Sequence, residues 1–126
     1  MFRCSGLGPI DKYGFRKKDL VDDSYNIMIL GGSACWGYNV LQSESFSELL
    51  QEKLDNNFTN KKIKIYNFAQ HSHLLNDQFI TFLLHYHKIK PKIVIMHDGF
   101  NDLQFGMITD KNMMKDKITY ALTHEY

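Results

Sequence analysis

Consecutive apolar residues occur in two short runs, Ile27-Met28-Ile29-Leu30 and Ile93-Val94-Ile95-Met96, each followed within a few residues by glycine. A run of this length without alternation suits a strand covered on both faces of a parallel sheet, so strands are predicted near 26–30 and over 92–97. Between them, Lys62-Ile63-Lys64-Ile65-Tyr66-Asn67 alternates charged and apolar residues. That pattern predicts a strand with one wet face, lying at a sheet edge. Two stretches have helical spacing instead. Ser45 with Glu48 three residues on marks a helix start, and Phe46, Leu49, Leu50 and Leu54 form its apolar face before Asn56-Asn57 ends it. A second helix is predicted to be capped by Asn76 or Asp77, to bury Phe79, Ile80, Leu83, Leu84 and Tyr86, and to stop at Pro91.

Strand, helix, strand, helix, strand, with gaps of crossover length, implies right-handed parallel units. The fold expected is a flavodoxin-like, three-layer α/β/α domain whose parallel sheet is ordered 2-1-3, with its switch point between strands 1 and 3. Gly31-Gly32-Ser33 follows the first strand and His97 closes the third, so Ser33 and the residues after His97 are expected at one crevice. The glycines there suit a tight turn and a close approach of another backbone. Residues 1–25 mix Gly6, Gly8, Pro9 and Gly14 with charges and read as an irregular arm ahead of a domain over 26–126. Past Asn101-Asp102, the residues Met107, Ile108, Met113, Met114, Ile118 and Leu122 suit one or two short helices contributing gap-filling core.

Composition narrows the class. The 126 residues are enough for one domain with a core, and 44% hydrophobic against 23% charged is an ordinary globular balance. Fifteen basic residues against fourteen acidic give a net charge of +1, which argues against a nucleic-acid partner. Cys4 and Cys35 form no metal-binding or redox spacing, and no apolar segment is long enough to span a bilayer or resembles a signal peptide. A cytoplasmic location is the expectation.

The three loops that follow the strands carry groups suited to acyl transfer: Ser33, then Ala69-Gln70-His71-Ser72, then Gly99-Phe100-Asn101-Asp102. With these residues the chain resembles the SGNH/GDSL hydrolases. Gly31-Gly32-Ser33 with Gly37 is similar to the family's nucleophile block, with Gly in place of Asp, and Gly99-Phe100-Asn101-Asp102 matches the Gly-x-Asn-Asp block in full. Gly14-Phe15-Arg16 is similar to a Gly-Phe-Arg found upstream of the nucleophile in bacterial members. The resemblance implies a serine ester hydrolase with no cofactor, acting on small esters, acylated sugars or lipids. Ser33 would be the nucleophile, and the oxyanion would be held by the N–H of Ser33, the side-chain amide of Asn101 and the N–H of Ser72. The chemistry fits: an oxyanion needs fixed donors, and Asn supplies one where ionised Asp does not. Ser72 stands where the family has glycine, which keeps the N–H and adds a side chain. Read without the family, Asn101-Asp102 is equally the capped start of a helix.

The family's fourth block, Asp-x-x-His, has no counterpart, since no Asp here is followed three residues later by His. A serine hydroxyl needs a base to take its proton. The expectation is therefore a truncated or split domain whose third-strand edge is covered by the Met-rich tail, a second copy or a missing carboxyl-terminal segment. Within the chain, His97 adjoins the third loop and His71 or His73 flanks the second, whereas His85 and His87 face apart on a helix and His124 lies near the end. His71-x-His73 lacks further ligands for zinc, and Cys35 reads as a small buried thiol. A non-catalytic module that keeps the crevice without the base remains the alternative. Nucleotide binding is disfavoured because Gly31-Gly32-Ser33 lacks the phosphate-loop lysine.

Overall fold

The computed structural model describes residues 24–106. The arm, the Met-rich tail and His124 lie outside them. The elements are β1 (Tyr25–Gly31), α1 (Ser33–Trp36), a 3-10 turn (Gln42–Glu44), α2 (Phe46–Asn57), β2 (Ile63–Asn67), α3 (Leu75–Ile89), β3 (Ile93–His97) and α4 (Phe100–Gly106). The strands form a parallel sheet in the order β2-β1-β3, the expected order. Ile27 stands opposite Ile65 on one side and Ile93 on the other, and Gly31 opposite His97.

Alternation along β1 divides the core between the two faces of the sheet. Ile27 and Ile29 pack with Cys35, Trp36, Ile63, Ile65 and Ala69, against which Leu50 and Leu54 of α2 lie. Met28 and Leu30 pack with Tyr66, Phe68 and Ile89, joined by Phe82 of α3. Helices therefore cover both faces, giving the three-layer arrangement.

Which side of each helix meets the sheet differs from the pattern-based expectation. In α2, Leu50 and Leu54 pack inward as expected, but Phe46 and Leu49 are exposed, while Ser47 and Gln51 are buried. In α3 the inward residues are Gln78, Thr81, Phe82 and Ile89, whereas Phe79, Ile80, Leu83, Leu84 and Tyr86 are all exposed, Leu84 by 74%. Hydrophobic periodicity finds an apolar stripe but does not register that buried polar side chains with partners sit equally well on a sheet. Gln51 is such a case. Its Nε2 donates to the Ile63 carbonyl and its Oε1 accepts from the Ile65 N–H, both at 2.9 Å. The amide thereby occupies outward-facing groups of an edge strand that would otherwise be open to pairing.

The strands differ from expectation in the same sense. β2 lies at an edge, yet only Lys64 among its five residues escapes full burial. β3, expected to be covered on both faces, is half-exposed, with Ile93 at 43% and Met96 at 46%. Among the described residues it is the other edge of the sheet.

Helix ends follow local chemistry. Ser45 Oγ accepts from the Glu48 N–H at 3.4 Å and caps α2 at the expected place. α3 starts earlier than expected, with Leu74 rather than Asn76 or Asp77 as its N-cap, and Asp77 accepts the Leu74 N–H at 2.9 Å. Its other end is a left-handed Lys90 (φ 47°), immediately before Pro91.

Candidate functional site

The site is built where β1 and β3 end side by side. Gly31 and Gly32 serve close approach there, and neither has a positive φ. A Cβ on Gly31 would lie 2.8 Å from Cys35 Cβ and 2.9 Å from the His97 carbonyl oxygen, so Gly31 lets α1 and the end of β3 close onto β1. A Cβ on Gly32 would lie 2.7 Å from Asn101 Nδ2. The absence of a side chain at 32 is thus what admits the Asn101 amide. Ser33 opens α1, a single turn closed by Gly37 at φ 88°. As the first residue of that helix, its N–H has no acceptor within the helix.

Gly99, at φ 103°, turns the chain from β3 into α4. Asn101 and Asp102 then reach out of α4 instead of capping it. Asn101 Nδ2 donates to the His73 carbonyl at 2.9 Å, and the Asp102 carboxylate accepts the Leu75 N–H at 3.1 and 3.2 Å. These contacts tie the loop after β3 to the loop after β2. One N–H of the Asn101 amide is engaged by His73, which fixes the group and leaves the second N–H for another acceptor.

The loop after β2 is held from below by Asn67. Its Nδ2 donates to the Cys35 carbonyl at 2.8 Å and to Ser47 Oγ at 3.1 Å, and its Oδ1 accepts from the Ala69 N–H at 2.9 Å. Sequence reasoning assigned Asn67 no role, although an Asn at a strand end that bonds two residues on is a recognisable Asx turn. Ser72 adopts φ 56°, the left-handed region that glycine fills without strain.

A crevice of about 240 Å³ opens here, lined by Gly32, Ser33, Ala34, His73, His97, Asp98, Phe100 and Asn101. Two of the predicted site residues, Ser33 and Asn101, are therefore brought together. Ser72 is exposed and does not line the crevice. Of the histidines, His73 and His97 line it. His71 instead packs between Trp36 (ring centroids 4.2 Å) and Tyr38 (5.0 Å), and His85 packs on Phe68 (4.5 Å). Among the described residues the Ser33 hydroxyl has no hydrogen-bond partner. Burial pushes the Cys35 thiol above its usual range. Burial also lowers His73 below the usual imidazole value, against an opposing pull from Asp77. No three metal-ligating side chains gather among the described residues, and no helix among them is long and apolar enough to cross a membrane.

A parallel α/β domain with a serine hydroxyl and an asparagine amide at the switch point between β1 and β3 is the class that fold and site define. Solved structures share the fold. The psychrotrophic esterase EstA from Pseudoalteromonas sp., in a structure inhibited by monoethylphosphonate, superposes with a TM-score of 0.58 at 24% identity, covering 66% of this chain and 44% of that one. TesA gives 0.59 at 18% identity, covering 64% and 44%. The chain thus spans less than half the length of either. No family model and no curated protein matches the sequence.

Proposed function

We propose that this chain carries the nucleophile and oxyanion-binding groups of a serine hydrolase acting on acyl esters. Ser33 Oγ attacks the acyl carbonyl as its proton passes to a base. The carbonyl oxygen gathers negative charge and takes hydrogen bonds from the free N–H of Asn101 and from the Ser33 N–H. Collapse of the tetrahedral intermediate expels the alcohol, which takes the proton back, and water then releases the acid from Ser33. The carrying observation is that Ser33 and an Asn101 amide already anchored on the His73 carbonyl share one crevice. An anchored donor stabilises charge without reorganising during the reaction. That the fold is shared with an esterase inhibited by a phosphonate supports the same reading.

The second reading is a non-catalytic crevice that keeps Ser33 and Asn101 without turnover. Turnover of p-nitrophenyl esters separates the two. Hydrolysis abolished by Ser33→Ala and reduced about 100- to 1,000-fold by Asn101→Ala supports the esterase reading. A folded chain whose rate equals that of Ser33→Ala supports the binding module.

A further inference from the structure

The two edges of the sheet are finished differently. On β2 the Gln51 amide takes up the outward Ile63 carbonyl and Ile65 N–H. β3 has no such plug among the described residues. Which of its groups are open follows from the register. The Ile29 carbonyl accepts from the Phe68 N–H at 2.8 Å, so Ile29 turns its main chain toward the β2 side, and its neighbours Met28 and Leu30 turn theirs toward β3. In a parallel ladder a residue bonds to the two that flank its partner. Met28 and Leu30 stand opposite Val94 and Met96, so they bond to Ile93, Ile95 and His97, and the N–H and carbonyl groups of Val94 and Met96 face the open edge.

The side chains along this edge have a polarity. Lys90 and Lys92 are exposed just ahead of β3, and Asp98 is exposed just after it. Between Lys92 and Asp98 the strand is apolar apart from His97, with Ile93 at 43% and Met96 at 46% exposure. It therefore lacks the internal lysine or proline that commonly blunts an open edge.

We propose that this edge is an interface with a second copy of the chain, β3 pairing antiparallel with β3 about a two-fold axis through Ile95. That register sets Val94 opposite Met96, so the open groups of each strand meet those of the other as hydrogen-bonded pairs. It also sets Lys92 opposite Asp98 of the second copy, and by symmetry Asp98 opposite Lys92. Opposite charges directly across two strands stabilise the pairing, and like charges oppose it. A parallel pairing would instead put Lys92 beside Lys92 and Asp98 beside Asp98. The charges thus select both the partner and its direction. Because Gln51 occupies the β2 edge, pairing through β3 closes at two copies rather than growing into a fibre. Asp98 lines the crevice, so the dimer brings Lys92 of the second copy to the rim of each site. This inference stands apart from the ester-hydrolase reading.

The test is sedimentation equilibrium of the whole chain from about 1 to 100 μM, with Lys92→Asp, Asp98→Lys and the double reversal, each checked for folding by circular dichroism. The expected result is a mass of two chains, dissociation made about 10-fold easier by either single reversal, since each creates two like-charge pairs, and recovery to within about 3-fold in the double reversal. In a mixture of isotopically light and heavy chains, a carbodiimide should join Lys92 of one copy to Asp98 of the other. A chain that stays monomeric at the highest concentration overturns the inference. Protection of the Val94 and Met96 amides from hydrogen exchange in that monomer would give the edge to another part of the same chain. A dimer indifferent to both single reversals, with no link between residues 92 and 98, also overturns it.

Discussion

Gly32 separates reactivity from stability more sharply than any other position. In Gly32→Ala the new Cβ would lie 2.7 Å from Asn101 Nδ2, 3.7 Å from its Cγ and 4.0 Å from the His73 carbonyl oxygen. Ordinary contact requires roughly 3.5–4.0 Å, so the amide must retreat by about 1 Å and its 2.9 Å bond to His73 is lost. Because that amide is the free end of a side chain, it can swing away. The cost is one hydrogen bond, about 0.5–1.5 kcal/mol, and removing a glycine from the unfolded chain returns about 0.4–1 kcal/mol. Stability should therefore change by less than about 1 kcal/mol. Phosphonylation of Ser33 should slow about 100- to 1,000-fold, the usual effect of losing one oxyanion donor. Gly31→Ala is the counterpart. Its Cβ would meet Cys35 Cβ at 2.8 Å and the His97 carbonyl at 2.9 Å, neither of which can swing, so the fold should lose about 1–3 kcal/mol. Urea unfolding followed by the single tryptophan, Trp36, gives the stabilities, and intact-mass kinetics with a fluorophosphonate give the rates. A Gly32→Ala chain that labels Ser33 at the parent rate refutes the assignment of Asn101 as a donor.

Other positions make further demands. Gln78 is fully buried, and both polar atoms of its side chain lack partners among the described residues. Gln78→Met should therefore raise stability in urea by about 1–2 kcal/mol, and a loss of stability would show that the amide has a partner in solution. Ser72→Gly relieves a left-handed residue and should leave stability level or raise it by up to about 1 kcal/mol, with Ser33 labelling unaffected because residue 72 does not line the crevice. Slower labelling would give the Ser72 hydroxyl a role. The depressed His73 titration has a defined sign. Between its folded value and the usual value of about 6.5 the unfolded chain binds more protons, so this contribution to stability is full above about pH 6.5 and is lost as pH falls through that window. The urea midpoint should drop over that range in the parent and less steeply in His73→Gln. An unchanged slope refutes the assignment.

The order of strands was legible because β1 is apolar at consecutive positions and each connection has crossover length, which leaves few parallel arrangements open. The convergence of Ser33 and Asn101 followed from that order alone. Helix orientation was not legible, since the apolar stripe Phe79-Ile80-Leu83-Leu84 of α3 is exposed while Gln78 and Thr81 face the sheet. Periodicity ranks residues by hydrophobicity, whereas docking of a helix selects a face by shape and, in α2, by which polar groups find partners. Gln51, whose amide bridges two groups of β2, is the plainest instance. Long-range polar contacts were hidden for a related reason. Asn101 and Asp102 look like a local cap in sequence, but their partners, His73 and Leu75, lie on another loop. The same distance in sequence hid the difference between His71, which packs on Trp36, and His73, which lines the crevice.

The central claim is that Ser33 is a nucleophile, and the most direct measurement is peptide mapping of the folded chain after treatment with a fluorophosphonate, with Ser33→Ala alongside. The account predicts a single phosphonyl adduct on the peptide containing Ser33 and none in the variant. A folded chain that stays unmodified, or whose adduct persists in Ser33→Ala, contradicts it.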